Sequence, residues 1–127
     1  EWRTRVELAA CYRLVHHYRW DSQVYNHITA RIPGTEHILI NAFGLAYDEI
    51  RASNLVKIDV EGNVVGESQY PANKAGFVIH SAIHMGAKDA NWVFHTHTLA
   101  GMAVSTQACG LLPIHMYAHN FYEALSY

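Results

Sequence analysis

Hydrophobic and polar positions at the start of the chain change from a helical to an alternating pattern. Residues 3–19, RTRVELAACYRLVHHYR, predict an amphipathic opening helix. The residues expected to share one face of this helix are Val6, Ala9, Ala10, Arg13, Leu14 and His17. Alternation then predicts two strands, at about 26–32 and 37–41, joined by a turn at Pro33 and Gly34.

Two shorter elements are predicted in the next part of the chain. The segment YDEIRASNL begins with Asp48 and Glu49 after its tyrosine, and acidic side chains in a first turn favour a short helix. The segment LVKIDVEGNVVGE predicts a hairpin, in which Glu61, Gly62 and Asn63 lie between KIDV and VVG.

The rest of the sequence predicts two more helices and two more strands. Residues 74–87, KAGFVIHSAIHMGA, predict a second helix. Its inward face is expected to carry Phe77, Ile79, Ile83 and Ala87 or their neighbours. ANWVFHTH predicts a strand, TLAGMAVSTQ a third helix ended by Gly110, and LLPIHM a further strand. The mixture predicts an α/β layered domain with a mainly antiparallel sheet.

Composition narrows the class of protein. The 127 residues are 50% hydrophobic and 16% charged, which is typical of one soluble globular domain. A net charge of −2, with lysines and arginines scattered singly, gives no basic surface for nucleic acid or an acidic membrane. Cys11 and Cys109 stand far apart, so we expect two buried thiols in a reducing cytoplasm rather than a disulfide framework. The apolar runs fall short of the roughly 18–20 residues that a membrane span needs.

Ten histidines are the unusual feature of the composition, and two of them, His95 and His97, stand one residue apart in WVFHTHT. Side chains at i and i+2 of a strand point to the same face, so both imidazoles can reach one cation. Zinc accepts histidine nitrogens at about 2.0–2.1 Å, and a catalytic zinc site needs a third protein ligand. By spacing alone, the pair is equally compatible with strand-end histidines that bond to carbonyl groups or water.

Further candidate site residues lie on and before the second helix. His80 and His84 are four residues apart and therefore share a helix face, where they either pack or bind metal. No acid lies between them, unlike in the H-E-x-x-H metal motif. Gly44, Asn73 and Lys74 are loop positions before helices, where backbone N–H groups and a lysine suit an anion. A helix-capping glycine and a solvated lysine are the alternative interpretation.

Five segments together resemble the class II aldolase/adducin N-terminal domain family. They are YNHITARIPG, HILINAFGLAYDEIRASNLVKIDVEGNVV, PANKAGFVIHSAIH, NWVFHTHTLAGMAVS and GLLPI, and the resemblance extends from about Leu8 to Tyr127. It implies a three-layer α/β/α sandwich, usually a homotetramer, in which zinc or a similar divalent ion serves sugar-phosphate aldol chemistry. Relatives include fuculose- and rhamnulose-phosphate aldolases and ribulose-phosphate epimerases.

The resemblance also implies roles for individual residues. His95 and His97 match two family metal ligands, whereas the third is a histidine far downstream that this segment does not contain. Residues 1–127 are thus expected to form one class II aldolase/adducin-like domain that is truncated at its C-terminal end. The family's catalytic acid, a glutamate or an aspartate, falls at Gly76, so no residue of this chain is assigned that role.

The substrate-binding positions are altered as well. The paired serines that hold substrate phosphate are replaced at Lys74 and Ala75, and the glycine–asparagine loop reads Asn26-His27, although Gly44 is retained. We therefore expect Asn26, His27, Gly44, Asn73 and Lys74 to be the substrate-binding positions. These replacements are typical of the adducin-like branch.

Two functions remain open at this point. The first is a zinc-dependent aldolase-type lyase or isomerase acting on a small hydroxy-carbonyl or sugar-derived substrate, with His27, Tyr25 or Tyr47 as the proton carrier. The second is a non-catalytic, adducin-like assembly or interaction domain, which the missing acid at Gly76 favours. In both cases we expect a cytoplasmic homo-oligomer with no nucleic-acid or membrane partner.

Overall fold

The computed structural model describes residues 1–126, which form two compact units, Glu1–His97 and a second unit that begins at Thr98. The elements of the first unit are α1 (Trp2–His17), β1 (His27–Arg31), β2 (Ile38–Ile40), a 3-10 turn (Tyr47–Glu49), β3 (Val56–Ile58), α2 (Lys74–Gly86) and β4 (Trp92–His95). The second unit contains α3 (Leu99–Ser105) and α4 (Met116–His119). Among the described residues, no helix is both long and apolar enough to cross a membrane.

The four strands of the first unit form one antiparallel sheet in the order β3-β2-β1-β4. Strand β1 is therefore flanked on both sides. Its pairing with β4 sets His27 opposite His95, and its pairing with β2 sets Thr29 opposite Ile40. The mainly antiparallel sheet predicted from the sequence is confirmed.

Helices α1 and α2 cover opposite faces of this sheet. Alternation along β1 sends Ile28 and Ala30 into a core shared with Leu8 and Tyr12 of α1. The alternate residues of the strand face α2, where the Thr29 hydroxyl contacts histidine side chains of that helix. The result is the α/β/α layering that the family resemblance implied.

The α2 side of the sheet is divided into an apolar and a polar part. Under β2 and β3 lies a second apolar core, to which Phe77 of α2 contributes. Its buried members are Ile38, Ile40, Ala42, Val56 and Ile58. Under β1 the contacts are polar, so α2 is anchored by apolar burial at one edge and by hydrogen bonds at the other.

The Tyr12 side chain reaches from α1 into the gap between β1 and β2. Its hydroxyl oxygen accepts hydrogen bonds from the backbone N–H groups of Ile28, at 3.0 Å, and Asn41, at 3.1 Å. The hydroxyl donates to the Ile28 carbonyl, and burial raises the pKa of this phenol. One side chain thus satisfies three backbone groups where the two strands separate.

The predicted helix faces are right in part: Ala9 of α1 and Phe77 of α2 pack inward as expected, whereas other predicted members do not. In α1 the buried apolar side chains are Leu8, Ala9, Tyr12 and Val15, whereas the predicted Val6 and Leu14 are exposed. The helix buries the stripe that carries the large tyrosine, and Tyr12 also has the backbone partners described above.

In α2 the buried residues are Gly76, His80, Ser81 and His84. Ile79 and Ile83, which were predicted to face inward, are 49% and 40% exposed. The helix turns its polar stripe inward because β1 offers Thr29 as a hydrogen-bond partner for both histidines.

Several other local predictions are also corrected. Residues 111–116 form no strand, and α4 begins at Met116. The expected hairpin is reduced to a single bridge between Ile58 and Val64, and the helix expected from residue 47 is one 3-10 turn. Cys109 is exposed and Cys11 is half-buried, so the expectation of two buried thiols was wrong; both thiols are free.

We predict that Tyr12→Phe lowers the free energy of unfolding by about 1–3 kcal/mol, because buried backbone groups of Ile28 and Asn41 lose their partner. Urea unfolding monitored by circular dichroism measures this change. Tyr18→Phe is the control, since Tyr18 is 56% exposed and its substitution should change stability by less than about 0.5 kcal/mol. Equal stability of the two variants would contradict the structural role of the Tyr12 hydroxyl.

Candidate metal centre

The Nε2 atoms of His95 and His97 converge at the end of β4. They lie 2.7 Å apart, and the ring centroids are 4.8 Å apart. Both side chains are half-buried, and burial followed by the proximity of His97 lowers the pKa of His95. The sequence-predicted pair is therefore together in space, with the imidazole of His95 held in the neutral form that metal ligation requires.

The donor set of this pair fits two positions of a zinc or similar divalent site. Two nitrogens that each lie about 2.0–2.1 Å from one tetrahedral ion are about 3.3 Å apart, so binding one ion requires the two rings to separate slightly from 2.7 Å. Within residues 1–126, however, no group of three histidine, cysteine, aspartate or glutamate side chains is arranged to hold a metal ion. The pair supplies part of a coordination sphere and leaves the rest to other donors.

Behind the pair, a chain of hydrogen bonds runs through the polar interface between α2 and β1. His27 Nδ1 lies 2.9 Å from His80 Nε2, and His80 Nδ1 lies 2.7 Å from the Thr29 hydroxyl oxygen. The same hydroxyl lies 2.9 Å from His84 Nε2, and His84 Nδ1 lies 2.8 Å from the Ala90 carbonyl oxygen. We call these five groups the histidine relay.

The Ala90 carbonyl fixes the direction of every bond in the histidine relay. A carbonyl only accepts, so His84 donates from Nδ1, and its Nε2 in the neutral ring must accept. The Thr29 hydroxyl therefore donates to His84 and accepts from His80 Nδ1–H. By the same reasoning His80 Nε2 accepts from His27 Nδ1–H. The neutral His27 ring then carries its unshared lone pair on Nε2.

Burial keeps the three relay rings neutral. It lowers the pKa of His27 to about 4 and that of His80 to about 3, and neighbouring histidines add to both effects. Burial also lowers the pKa of His84, and the nearby Arg31 guanidinium acts in the same direction. A proton on any ring would also remove an acceptor from the chain, so the network and the low pKa values are mutually consistent.

His27 connects the histidine relay to the metal-ligand pair. Its ring stacks on that of His95, with centroids 4.6 Å apart and planes inclined by 24°. On its other side it meets His80 edge to face, at 4.5 Å. Side-by-side rings do not aim their in-plane lone pairs at one ion, so His27 lies next to the candidate metal position rather than on it.

Gly76 gives the His27 ring its space. A Cβ atom added at Gly76 would lie 2.6 Å from His27 Cγ and 2.8 Å from His27 Cβ. Those separations are far inside van der Waals contact, so any larger side chain at position 76 competes directly with the histidine. Residues 27 and 76 therefore form one packing unit across the α2–β1 interface.

Comparison with known proteins places this geometry in a family. Residues 6–127 match the model of the class II aldolase and adducin N-terminal domain. The chain belongs to the class II aldolase/adducin family. A Pseudomonas aeruginosa relative named "Putative aldolase class 2 protein" is 52% identical over all of this chain and 49% of its own length. Alpha-adducin of Rattus norvegicus is 49% identical over 87% of this chain and 15% of its own length.

Solved structures agree with this family and fold. An aldolase II superfamily protein from Pseudomonas syringae superposes with a TM-score of 0.92 at 53% identity, over 96% of this chain and 49% of that protein. The L-fuculose 1-phosphate aldolase from Glaciozyma antarctica superposes with a TM-score of 0.87 at 32% identity, over 94% of this chain and 49% of the enzyme. The chain spans about half the length of these bacterial and fungal relatives.

The other positions expected to bind substrate differ in how exposed their side chains are. Asn26 is fully buried, and neither of its side-chain amide atoms has a partner among the described residues. Asn73 is also buried and accepts a hydrogen bond from Gly76 N–H as the N-cap of α2. Lys74 is exposed and lines a groove with Phe43 and Asn73. Only Lys74 is both charged and open to solvent.

Gly44 adjoins Phe43 in the sequence and adopts a left-handed backbone conformation, with φ of 94°. An L side chain rarely adopts this conformation, which explains the glycine without any ligand. The sequence prediction that Gly44 binds substrate is neither supported nor opposed by its surroundings.

Of the alternative proton carriers, Tyr47 is separated from the pair by the sheet. It is 2% exposed and packs edge to face on Tyr12, 4.5 Å away, in the α1 core. Tyr25 is exposed, and its ring lies 6.2 Å from that of His97. Tyr25 and His27 therefore lie by the metal-ligand pair, and His27 is the one tied to a buried hydrogen-bond network.

Sequence reasoning did not identify Thr29, although the histidine relay depends on its hydroxyl. The available signal was a polar residue at the centre of an otherwise buried strand, two positions after His27. Such a residue must have a hydrogen-bond partner inside the protein. The helix histidines were the nearest candidates.

We predict that acid destabilises the metal-free chain through the histidine relay. The pKa values of His27, His80 and His84 are lower in the folded than in the unfolded state, so the unfolded state takes up protons first as pH falls below about 6.5. The free energy of unfolding should fall by about 1–2 kcal/mol for each of His27 and His80 between pH 6.5 and 5, and His84 acts in the same direction. Urea unfolding with a chelator at several pH values measures this slope, and a flat profile would contradict the neutral relay.

We also predict that Gly76→Ala destabilises the chain by about 1–3 kcal/mol, because the new methyl group overlaps the His27 ring. Gly86→Ala is the matched control on the same helix, since its Cβ would meet nothing within 4 Å. That variant should be neutral or more stable by up to about 1 kcal/mol. Thermal unfolding compares the two, and equal melting temperatures would refute the packing of residue 76 on His27.

Proposed function

We propose that this domain is the metal-binding half of a divalent-metal-dependent, aldolase-type lyase or isomerase that acts on a small hydroxy-carbonyl substrate. The convergence of His95, the last residue of β4, and His97, two residues later, with Nε2 atoms 2.7 Å apart, carries this proposal. Membership of the class II aldolase family and likeness to an L-fuculose 1-phosphate aldolase support it.

His95 and His97 hold the ion, and zinc is the metal that best suits neutral imidazole donors in an incomplete coordination sphere. A third donor comes from outside the described residues. When bound, such an ion polarises the substrate carbonyl and stabilises negative charge on its oxygen. The chain's own contribution is to orient the two imidazoles and to keep that of His95 neutral.

Substrate binds beside this centre through the positions expected from the sequence. Lys74 supplies a positive charge at the rim of its groove, and Gly44 lies in the loop that also provides Phe43. Asn73 acts from a buried position by capping α2, and the buried Asn26 has unpaired amide atoms to offer a substrate. Because the expected phosphate-binding serines are absent, an unphosphorylated sugar-derived substrate fits these residues best.

The proposal places the complete protein in the cytoplasm as a homotetramer, with a small molecule and no nucleic acid or membrane as its partner. Large, exposed apolar side chains on α2 support self-assembly, because extended apolar patches mark interaction surfaces. They include Val78, Ile79, Ile83 and Met85. The net charge of −2 does not favour a polyanionic partner.

An adducin-like assembly domain is the second candidate function. It is favoured by the 49% identity with alpha-adducin and by Gly76, which offers no acidic side chain at the family's catalytic position. In this alternative the histidine pair and the relay serve the stability of the domain alone. Metal binding and turnover of hydroxy-aldehydes or hydroxy-ketones distinguish the two functions.

We predict that the complete protein binds close to one zinc per chain and that His95→Ala and His97→Ala each lower its zinc affinity by at least about 10-fold, because each removes one donor. Zinc titration followed by elemental analysis of dialysed protein measures this loss. His17→Ala is the control, since His17 is exposed at the end of α1, on the other side of the sheet. Unchanged zinc affinity in the first two variants, or none in the wild type, overturns the proposed function.

A further inference from the structure

The proposed metal-dependent function lacks a proton carrier, and the class II acid position is occupied by Gly76. An aldol or enolisation reaction must move a proton at a carbon or oxygen atom of the substrate, and a positioned side chain contributes about 10²–10⁴-fold to such a step. Gly76, which has no side chain, is in contact with His27. His27, which fills the space next to Gly76, is therefore the first candidate for the missing proton carrier.

The His27 imidazole occupies the space in which a side chain at position 76 would begin. A Cβ atom there would overlap its Cγ and Cβ atoms, at 2.6 and 2.8 Å. The same ring stacks on His95, one of the two proposed metal ligands. One imidazole thus replaces the absent side chain in volume and adjoins the candidate metal position.

The histidine relay determines what this imidazole offers. Because Ala90 accepts from His84 at the far end, the chain of donors ends with His27 Nδ1–H directed at His80. The Nε2 atom of His27 therefore has a lone pair and no proton. Among the described residues, no hydrogen bond to His27 Nε2 is found; the only hydrogen bond of this ring is made by Nδ1. The residue as a whole is 3% exposed.

We propose that His27 is the proton carrier of this domain, in place of the acid side chain absent at Gly76. This inference rests on the proposed function. His27 Nε2 forms a bond to the proton of a substrate C–H group next to the carbonyl and that C–H bond breaks. Its electron pair becomes the carbon–carbon double bond of an enediolate, while the carbonyl π pair moves onto the carbonyl oxygen. In the reverse step the N–H bond breaks and the proton returns to carbon. His80, Thr29 and His84 act as positioning residues that keep the lone pair on Nε2.

The tautomer is tested first, without any reaction. In metal-free protein labelled with ¹⁵N-histidine, long-range proton–nitrogen NMR distinguishes a protonated from an unprotonated ring nitrogen. We expect His27 to carry its proton on Nδ1. Thr29→Val removes the hydroxyl at almost constant volume and should lose this single tautomer, whereas Thr29→Ser should retain it. A proton on Nε2 of the wild-type His27 overturns the inference.

The chemical role is tested with the complete zinc-loaded protein in D₂O. NMR measures the rate at which the protein exchanges the carbon-bound protons of dihydroxyacetone for deuterium. His27→Asn should lower the exchange rate by at least about 100-fold while zinc content stays unchanged. Thr29→Val should lower the rate and Thr29→Ser should not. Equal rates for His27→Asn and the wild type, or no exchange in the zinc-loaded wild type, overturn the role of His27 and leave metal binding by His95 and His97 standing.

A reciprocal exchange of side chains tests the spatial argument. Gly76→Glu alone should unfold at lower temperature, because its side chain collides with His27. Combined with His27→Gly, which removes the Cβ and Cγ atoms that the new side chain would meet, it gains room, and the double variant should recover both stability and proton exchange relative to the two single variants. Additive losses in the double variant would show that residues 27 and 76 do not share one function. A wild-type protein that binds no zinc would instead refute the proposed function itself.

Discussion

A single backbone carbonyl, that of Ala90, sets the chemistry of the buried interface between α2 and β1. Because it accepts and never donates, it orders four successive hydrogen bonds through two helix histidines and one strand threonine to His27. The directional chain needs neutral rings, and the depth of burial supplies that condition. A peptide group at the far end of the network therefore determines which ring nitrogens of the candidate site carry protons.

Strand pairing explains why the His95/His97 pair and a hydrogen-bond network meet at one place. Antiparallel register sets His27 directly opposite His95, so both lie on the face that α2 covers. Strand periodicity then brings Thr29 beneath the helix on the same face. On the opposite face, Tyr12 bonds to the backbone at Ile28 and holds the start of β1 in position. Both faces of one short strand are thus fixed by side chains of the two helices.

Much of this arrangement could be predicted from the sequence. The HTH spacing correctly predicted that His95 and His97 lie together, although the strand ends at His95, and alternation located β1 and β2 to within two residues. The helix faces could not be obtained in this way, because hydrophobic periodicity assumes an apolar interior. For α2 that assumption selected Ile79 and Ile83, whereas the interface is closed by His80, His84 and Thr29. Polar packing of this kind depends on partners distant in sequence, and a periodic pattern in one segment carries no information about them.

The contact between Gly76 and His27 also has an evolutionary consequence. A glutamate at position 76 and a histidine at position 27 cannot share the same volume, so neither can replace the other in a single substitution without a clash or a gap. A larger side chain at position 76 therefore requires a smaller one at position 27, so the two positions are coupled in any substitution of either residue.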